Sequence, residues 1–214
     1  MSIDLSLQLV TDTAQCGARG VPAVVAAAVA GGVTTVQIRD HDASAAELVA
    51  LTLAVAAVLT ERTTLLVDDR VDVVLAARFA GARVHGVHLG QSDLPVVAAR
   101  SLLGADALIG LTANTPAHLA AVRALPAGTV DYLGVGVIRP TSTKPDHPAP
   151  LGIDGFAALA TATSLPCVAI GGVGAQDAAP LRRAGAAGLA VVSAVCTAVD
   201  PTEAARSIRA QWDR

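Results

Sequence analysis

The 214-residue chain is 53% hydrophobic but only 2% aromatic, so a large core is available and Ala, Val and Leu must fill it. A formal net charge of −3 and so few stacking side chains exclude a nucleic-acid footprint, which needs a basic patch and aromatic platforms. Cys16, Cys167 and Cys196 are widely spaced and belong to no Cys-x-x-Cys or Cys/His group, which excludes a disulfide scaffold and a zinc site.

In chain order, residues 5–10 read as a first apolar strand and 22–30 as a helix. Gly31-Gly32 then turn the chain into a strand that runs to 38. The uncharged run from Gly20 to Ile38 is broken by Pro22, the two glycines and Gln37, so it is not a membrane span. Helix 44–59, strand 64–67, helix 71–80, strand 86–89 and helix 94–103 follow. Strand 104–110, helix 116–124, strand 130–135, helix 153–160, strand 165–170, helix 175–184, strand 185–192 and helix 201–212 complete the chain. Continuously apolar strands alternating with helices predict a parallel sheet covered on its outer side. Eight such pairs in this length predict a closed (β/α)8 TIM barrel, one domain over residues 1–214. An open doubly wound sheet also alternates, but its usual Gly-rich first turn is missing. The start Met1-Ser-Ile-Asp-Leu5 lacks the features of a secretory signal, so a cytoplasmic location is the default expectation.

A barrel places its chemistry at the C-terminal ends of the strands. Those ends here carry Thr11-Asp12, Gln37-Ile-Arg39-Asp-His41, Asp68-Asp69, Gln91-Ser-Asp93, Thr112-Ala-Asn114, Arg139 to Lys144, Gly171-Gly172 and Ser193. Asp69 and Asp93 end neighbouring strands and could share one hard cation. Oxygen-only ligands point to Mg²⁺, which also takes substrate phosphates. The alternative is that each aspartate caps a helix. Gln37, Arg39 and His41 lie two residues apart, on one face if the strand persists. Arg39 offers a fork for phosphate oxygens, or else a rim ion pair with Asp40 or Asp42. Thr141-Ser-Thr-Lys144 lies in a segment with Pro140, Pro145, Pro148 and Pro150, which no helix can occupy; its hydroxyls and ammonium suit an anion, a solvated turn being the alternative. Gly171-Gly172, with Ser193 opening a short helical turn, fits the recurrent phosphate cradle of barrels, an ordinary Gly-rich turn being the alternative. His88 alternates within a strand and points into the barrel or sits in its wall; His85, His118 and His147 read as surface or turn residues. No histidine receives a catalytic role, and no Ser/His/Asp nucleophile set is legible.

Leu9-Val-Thr-Asp12, Val36-Gln-Ile-Arg39, Val67-Asp-Asp-Arg-Val-Asp72, Gly86-Val-His-Leu-Gly-Gln-Ser-Asp-Leu-Pro95, Ile109-Gly-Leu-Thr112, Asp131-Tyr-Leu-Gly-Val-Gly136, Pro140-Thr-Ser-Thr-Lys144 and Ala169-Ile-Gly-Gly-Val173 together resemble the thiamine-phosphate synthase family over nearly the whole chain. The resemblance implies a (β/α)8 barrel. It also implies condensation of hydroxymethylpyrimidine diphosphate with thiazole phosphate, giving thiamine phosphate and diphosphate by a dissociative, Mg²⁺-dependent path. By position, Asp69 and Asp93 resemble the metal ligands. Gln37, Arg39, His41, Asp68, Thr112 and Lys144 resemble the pyrimidine-diphosphate contacts, with Arg39, Lys144 and Thr112 catalytic. Thr141, Ser142, Thr143, Gly172, Val192 and Ser193 resemble the thiazole-phosphate contacts. The family usually has Lys in place of His41 and Asn in place of Asp68, and the segment Gly81 to Gly86 is about two residues longer than usual. The implied partners are phosphorylated small molecules, with neither nucleic acid nor membrane; a homo-oligomer is left open. Three other readings are a thiazole tautomerase, whose characteristic histidine falls where this chain has Asn114, a non-catalytic barrel that binds thiazole or thiamine phosphate, and a remote phosphate barrel of amino-acid biosynthesis, which shares the Gly171-Gly172 site but not the acidic pair.

Overall fold

The computed structural model describes residues 3–141, 143 and 149–214. Eight strands close into one parallel barrel in sequence order: β1 (Leu7–Val10), β2 (Thr35–Ile38), β3 (Thr64–Asp68), β4 (Gly86–Leu89), β5 (Leu108–Thr112), β6 (Tyr132–Gly136), β7 (Cys167–Ile170) and β8 (Gly188–Val191). The seam is real pairing: Gln8 lies beside Ala190 of β8 and beside Thr35 of β2. Outside run α2 (Val21–Ala30), α3 (Ala45–Ala56), α4 (Val71–Phe79), α5 (Val96–Leu103), α6 (Pro116–Arg123), α7 (Gly152–Thr161), α8 (Ala175–Arg183) and α10 (Pro201–Trp212). Two short helices, α1 (Thr13–Cys16) and α9 (Ser193–Cys196), sit at the strand tips.

The strands begin later than the apolar runs suggest, because glycines first close the preceding helices. Gly31 donates to Ala27 and Ala28 carbonyls and Gly32 takes φ 109°, so β2 starts only at Thr35. Gly104 ends α5 at φ 89°, and a turn through Ala107 delays β5 to Leu108.

Period-two alternation divides the apolar side chains into two cores. The larger lies between sheet and helices and includes Leu9, Val36, Leu65, Val87, Ile109, Leu133 and Phe156. The smaller fills the barrel with Leu5, Val10, Leu66, Leu108, Tyr132, Val168 and Ala190. Strands come so close that some positions exclude any side chain. A Cβ on Gly86 would stand 1.9 Å from the Leu108 carbonyl oxygen, and one on Gly188 would stand 1.7 Å from that of Leu5.

The terminal helix secures the seam. Thr202 donates to the Ala27 carbonyl at 2.9 Å, Arg182 of α8 donates to the Trp212 carbonyl at 2.7 Å, and Arg209 bonds the Ser6 hydroxyl. Among the described residues, no helix is long and apolar enough to cross a membrane.

Candidate active site

Three side chains from the end of β2 converge on Asp68 at the tip of β3. Gln37, buried inside the barrel, donates its amide to Oδ1 at 2.5 Å. Arg39 Nε stands 3.4 Å from Oδ2 and His41 Nε2 3.9 Å from the same oxygen. The shared face expected for these residues therefore extends past the strand, helped by Thr11, whose hydroxyl accepts the Arg39 amide at 3.0 Å. Arg39 thus pairs with Asp68, and not with the neighbouring Asp40 or Asp42 expected as the alternative; the Asp40 carboxylate accepts the Asp42 amide at 3.1 Å.

Asp69 follows on the same rim. Its amide donates to the His88 carbonyl at 2.8 Å, so β3 and β4 stay zipped to their ends. Its φ of 58° lies in the left-handed region, which aspartate tolerates better than most side chains. Neither metal candidate caps a helix. Arg70 holds the N-cap position of α4 and Pro95 that of α5, both without a side-chain cap bond, while Asp93 Oδ2 accepts the Gly90 amide at 2.7 Å. Burial, the neighbouring Asp68 charge and a direct hydrogen bond to Asp93 push the Asp69 carboxyl up to about 8, against a small opposing pull from Arg39. Three crowded carboxylates held this way suit a hard divalent cation, whose charge would replace the proton. Ligand atoms of His41, Asp68 and Asp69 lie within 4.8 Å of one another, a grouping among the described residues that takes in the imidazole, expected only as a diphosphate contact, and does not include Asp93.

Thr112 ends β5 beside this cluster. Its carbonyl accepts the Gln91 amide at 2.5 Å, and its hydroxyl lies 3.0 Å from His88 Nε2. The other ring nitrogen of His88 meets the Tyr132 hydroxyl at 3.0 Å. His88 thus points into the barrel, the first of the two placements open to it. His85 is half-buried and accepts the Leu65 amide on Nδ1 at 2.9 Å, a structural use that its position before β4 conceals. Asn114 accepts the Gly136 amide at 3.1 Å, and His118 accepts the Asn114 amide at 3.2 Å.

Across the mouth, β7 ends in Gly171 (φ 96°) and Gly172 (φ 67°), and α9 opens at Ser193 after Val192. A cavity of about 500 Å³ is bordered here by Pro140, Thr141, Gly172, Val173, Ser193 and Ala194. The root of the long loop crosses Gly172 so closely that a Cβ would meet the Pro140 carbonyl oxygen at 2.7 Å. Arg139 fixes that root: Nε and Nη2 reach Oδ1 of the fully buried Asp177 at 2.8 and 2.6 Å, and Oδ2 of Asp177 accepts the Gly174 amide at 3.1 Å. Thr141 accepts the Thr143 amide at 3.2 Å, and Thr143 accepts the Gln15 side-chain amide at 3.5 Å. Ser142, Lys144 and His147 lie outside the described residues.

With both ends of the crater in place, comparison with known proteins is direct. The family profile for thiamine monophosphate synthase matches residues 7–195. The chain belongs to that family. Among relatives, the thiamine-phosphate synthase of Corynebacterium efficiens is 50% identical over 181 residues, 85% of this chain and 83% of that one. The thiamine-phosphate synthase of Azorhizobium caulinodans is 47% identical over 207 residues, 96% and 94% of the two chains. Among solved structures, the thiamine phosphate pyrophosphorylase of Pyrococcus furiosus superposes with a TM-score of 0.84 at 28% identity, covering 99% of this chain and 96% of the other. Membership agrees with the resemblance carried by the rim motifs.

Proposed function

We propose that this member is a transferase of thiamine biosynthesis. It joins hydroxymethylpyrimidine diphosphate to thiazole phosphate and releases diphosphate, with residues 1–214 acting as one catalytic domain in the cytoplasm. The observation that carries the Mg²⁺ requirement is the Asp69 carboxyl pressed against Asp93 beside Asp68, on the same rim as Arg39 and opposite the glycine cradle.

Asp69 and Asp93 would hold a divalent cation, which when bound would supply Lewis-acid stabilisation of negative charge on a departing diphosphate. Arg39 and Lys144 add fixed positive charge at the same leaving group, with Gln37, His41, Asp68 and Thr112 orienting the pyrimidine diphosphate. Thr141, Ser142, Thr143, Gly172, Val192 and Ser193 hold the thiazole phosphate at the cradle, where backbone amides and the opening turn of α9 favour an anion. That placement leaves the thiazole nitrogen to capture the pyrimidine-methyl cation once the C–O bond has broken. No protein nucleophile is required. The tautomerase reading gains nothing, since Asn114 is engaged with the β6 backbone and carries no proton-shuttling ring.

The test mixes both substrates with and without Mg²⁺ and follows thiamine phosphate, with Asp93→Ala alongside. Metal-dependent product from the native chain, and a loss of roughly a hundredfold or more in the variant, is expected for the loss of a charge-stabilising group. Product at equal rates without metal, or native-like turnover by Asp93→Ala, overturns the metal assignment. Binding of thiamine phosphate with no turnover would instead support the non-catalytic reading.

A further inference from the structure

The interior of the barrel contains a polar chain that the proposed reaction leaves unexplained. His88 of β4 stands between the Tyr132 hydroxyl of β6 and the Thr112 hydroxyl of β5, at 3.0 Å from each. The phenol and imidazole rings are 5.5 Å apart between centroids, tilted by 36°. Two glycines make the room. A Cβ on Gly110 would lie 2.4 Å from His88 Nδ1 and 2.3 Å from Tyr132 Cζ, and one on Gly134 would lie 2.8 Å from His88 Cε1. Four positions, Gly110 and Thr112 on β5 and Tyr132 and Gly134 on β6, are therefore shaped around one imidazole, which is more than a buried ring needs for packing alone.

The chain has a direction. Tyr132 is almost wholly buried, and burial with the charges of Asp68 and Asp131 holds its phenol far above the usual range, so it keeps its hydrogen. That hydrogen needs an acceptor, and among the described residues the hydroxyl bonds only His88 Nδ1. A ring that accepts on Nδ1 carries its hydrogen on Nε2 when neutral. Nε2–H then donates to Thr112 Oγ1, and the threonine hydrogen must point away from His88. Thr112 stands half-buried at the tip of β5, on the rim that carries Asp69 and Arg39. The reverse direction would leave the phenol hydrogen unpaired inside the barrel.

We propose that Tyr132 and His88 are positioning residues that fix the Thr112 hydroxyl as a hydrogen-bond donor toward the pyrimidine diphosphate. This rests on the reading of the preceding subsection and assigns His88 no proton transfer. A hydroxyl so oriented donates to a phosphate oxygen as negative charge builds there, and being oriented in advance it has no rearrangement left to make at the moment of bond breaking.

Two measurements test it. The first is free of turnover: long-range ¹⁵N–¹H correlation of the His88 ring in the whole protein, without substrates, at about pH 8, where an ordinary imidazole is neutral. The expected result is the Nε2–H tautomer in the native chain and a mixed population in Tyr132→Phe. An Nδ1–H tautomer in the native chain overturns the proposal, whatever the activity. The second is a double-mutant cycle on kcat for thiamine phosphate formation. Tyr132→Phe and His88→Asn are each expected to lower kcat by roughly tenfold, the scale of a misplaced group, with KM for thiazole phosphate nearly unchanged. His88→Gln, whose amide nitrogen reaches toward the Nε2 position, is expected to recover part of the loss. In a Thr112→Val background the same substitutions are expected to have no further effect. Losses that multiply in that background show a ring that merely supports the wall. Should His88→Asn not fold, Tyr132→Phe, which removes a single oxygen, completes the cycle. A native chain with no turnover refutes the proposed reaction, and the tautomer measurement still decides the direction of the chain.

Discussion

Asp69 is where the charge balance of the site concentrates. Its folded-state pKa of about 8 stands well above the ordinary 3.8. Between those two pH values the folded chain keeps a proton that the unfolded chain has released, so without metal its contribution to stability falls as pH rises from about 4 to about 8 and then levels. A cation competes with that proton. Thermal melts with and without Mg²⁺ are therefore expected to show a larger gain in Tm at about pH 8 than at about pH 6. Equal gains at both would remove Asp69 from the metal site. Asp69→Asn keeps a side chain that tolerates the left-handed backbone and removes the repulsion. At about pH 8 without metal it is expected to melt above the native chain, by roughly 2–4 °C for each kcal/mol relieved. A lower melting temperature would contradict the crowding.

Asp68 makes a second prediction at this scale. It engages Gln37, Arg39 and His41 at once, so it draws onto itself the positive groups that a diphosphate needs. Asp68→Asn paired with His41→Lys is expected to lower KM for the pyrimidine diphosphate at about pH 8 by roughly three- to tenfold, the scale of a change near one pK unit. The ammonium keeps its charge at a pH where an ordinary imidazole has lost it. An unchanged KM would mean that the native pair already presents Arg39 to the substrate. Gln37 and Arg39 were legible in the sequence because polar residues two apart in an apolar strand have few other uses. Their convergence on Asp68 was not, since it depends on how far β2 and β3 extend beside each other.

Among the elements, the junction of β6, β7 and α8 shapes the glycine-cradle end of the crater, where the thiazole phosphate is proposed to bind. Arg139 is half-exposed, but its partner Asp177 is fully buried, so the ion pair has one end in water and the other in the core. Arg139→Met leaves the buried carboxylate with only the Gly174 amide, and a loss of about 1–3 kcal/mol is expected from the missing partner. The kinetic signature expected is a raised KM for thiazole phosphate with a smaller change in kcat, because the loop root over Gly172 loosens while the diphosphate side is untouched. A kcat loss with constant KM would place Arg139 in the chemistry itself. The glycine pair and Ser193 could be read from the sequence as a phosphate cradle. The Arg139–Asp177 clamp could not: the two residues are 38 positions apart, and Asp177 sits in the first turn of α8, where an aspartate passes for a helix-start signal. His88, by contrast, stands out in the sequence without disclosing a role, because a strand histidine shows its partners only once β4, β5 and β6 lie side by side.

At the scale of the whole molecule, alternation of apolar strands and helices was enough to predict closure, and the ladder from β1 to β8 has that closure. What alternation could not reveal is how tightly the wall is drawn. Gly86→Ala would drive a methyl into the Leu108 carbonyl of the adjacent strand, which no side-chain shift relieves. Loss of soluble folded protein is expected, or a fall in stability of at least about 1–3 kcal/mol, the usual cost of overpacking. A native-like denaturation midpoint would show that β4 and β5 can part without opening the barrel.

The only tryptophan, Trp212, is nearly buried on the last helix, its carbonyl tied to Arg182 and its helix packed beside α2 and α8. Intrinsic fluorescence will therefore watch the docking of that helix over the β1–β8 join, far along the chain from the acidic rim. Denaturation followed by emission reports when the outer wrapping lets go. Ligand titrations need a different spectroscopic handle, because the tryptophan is not among the residues that border the cavity at the mouth.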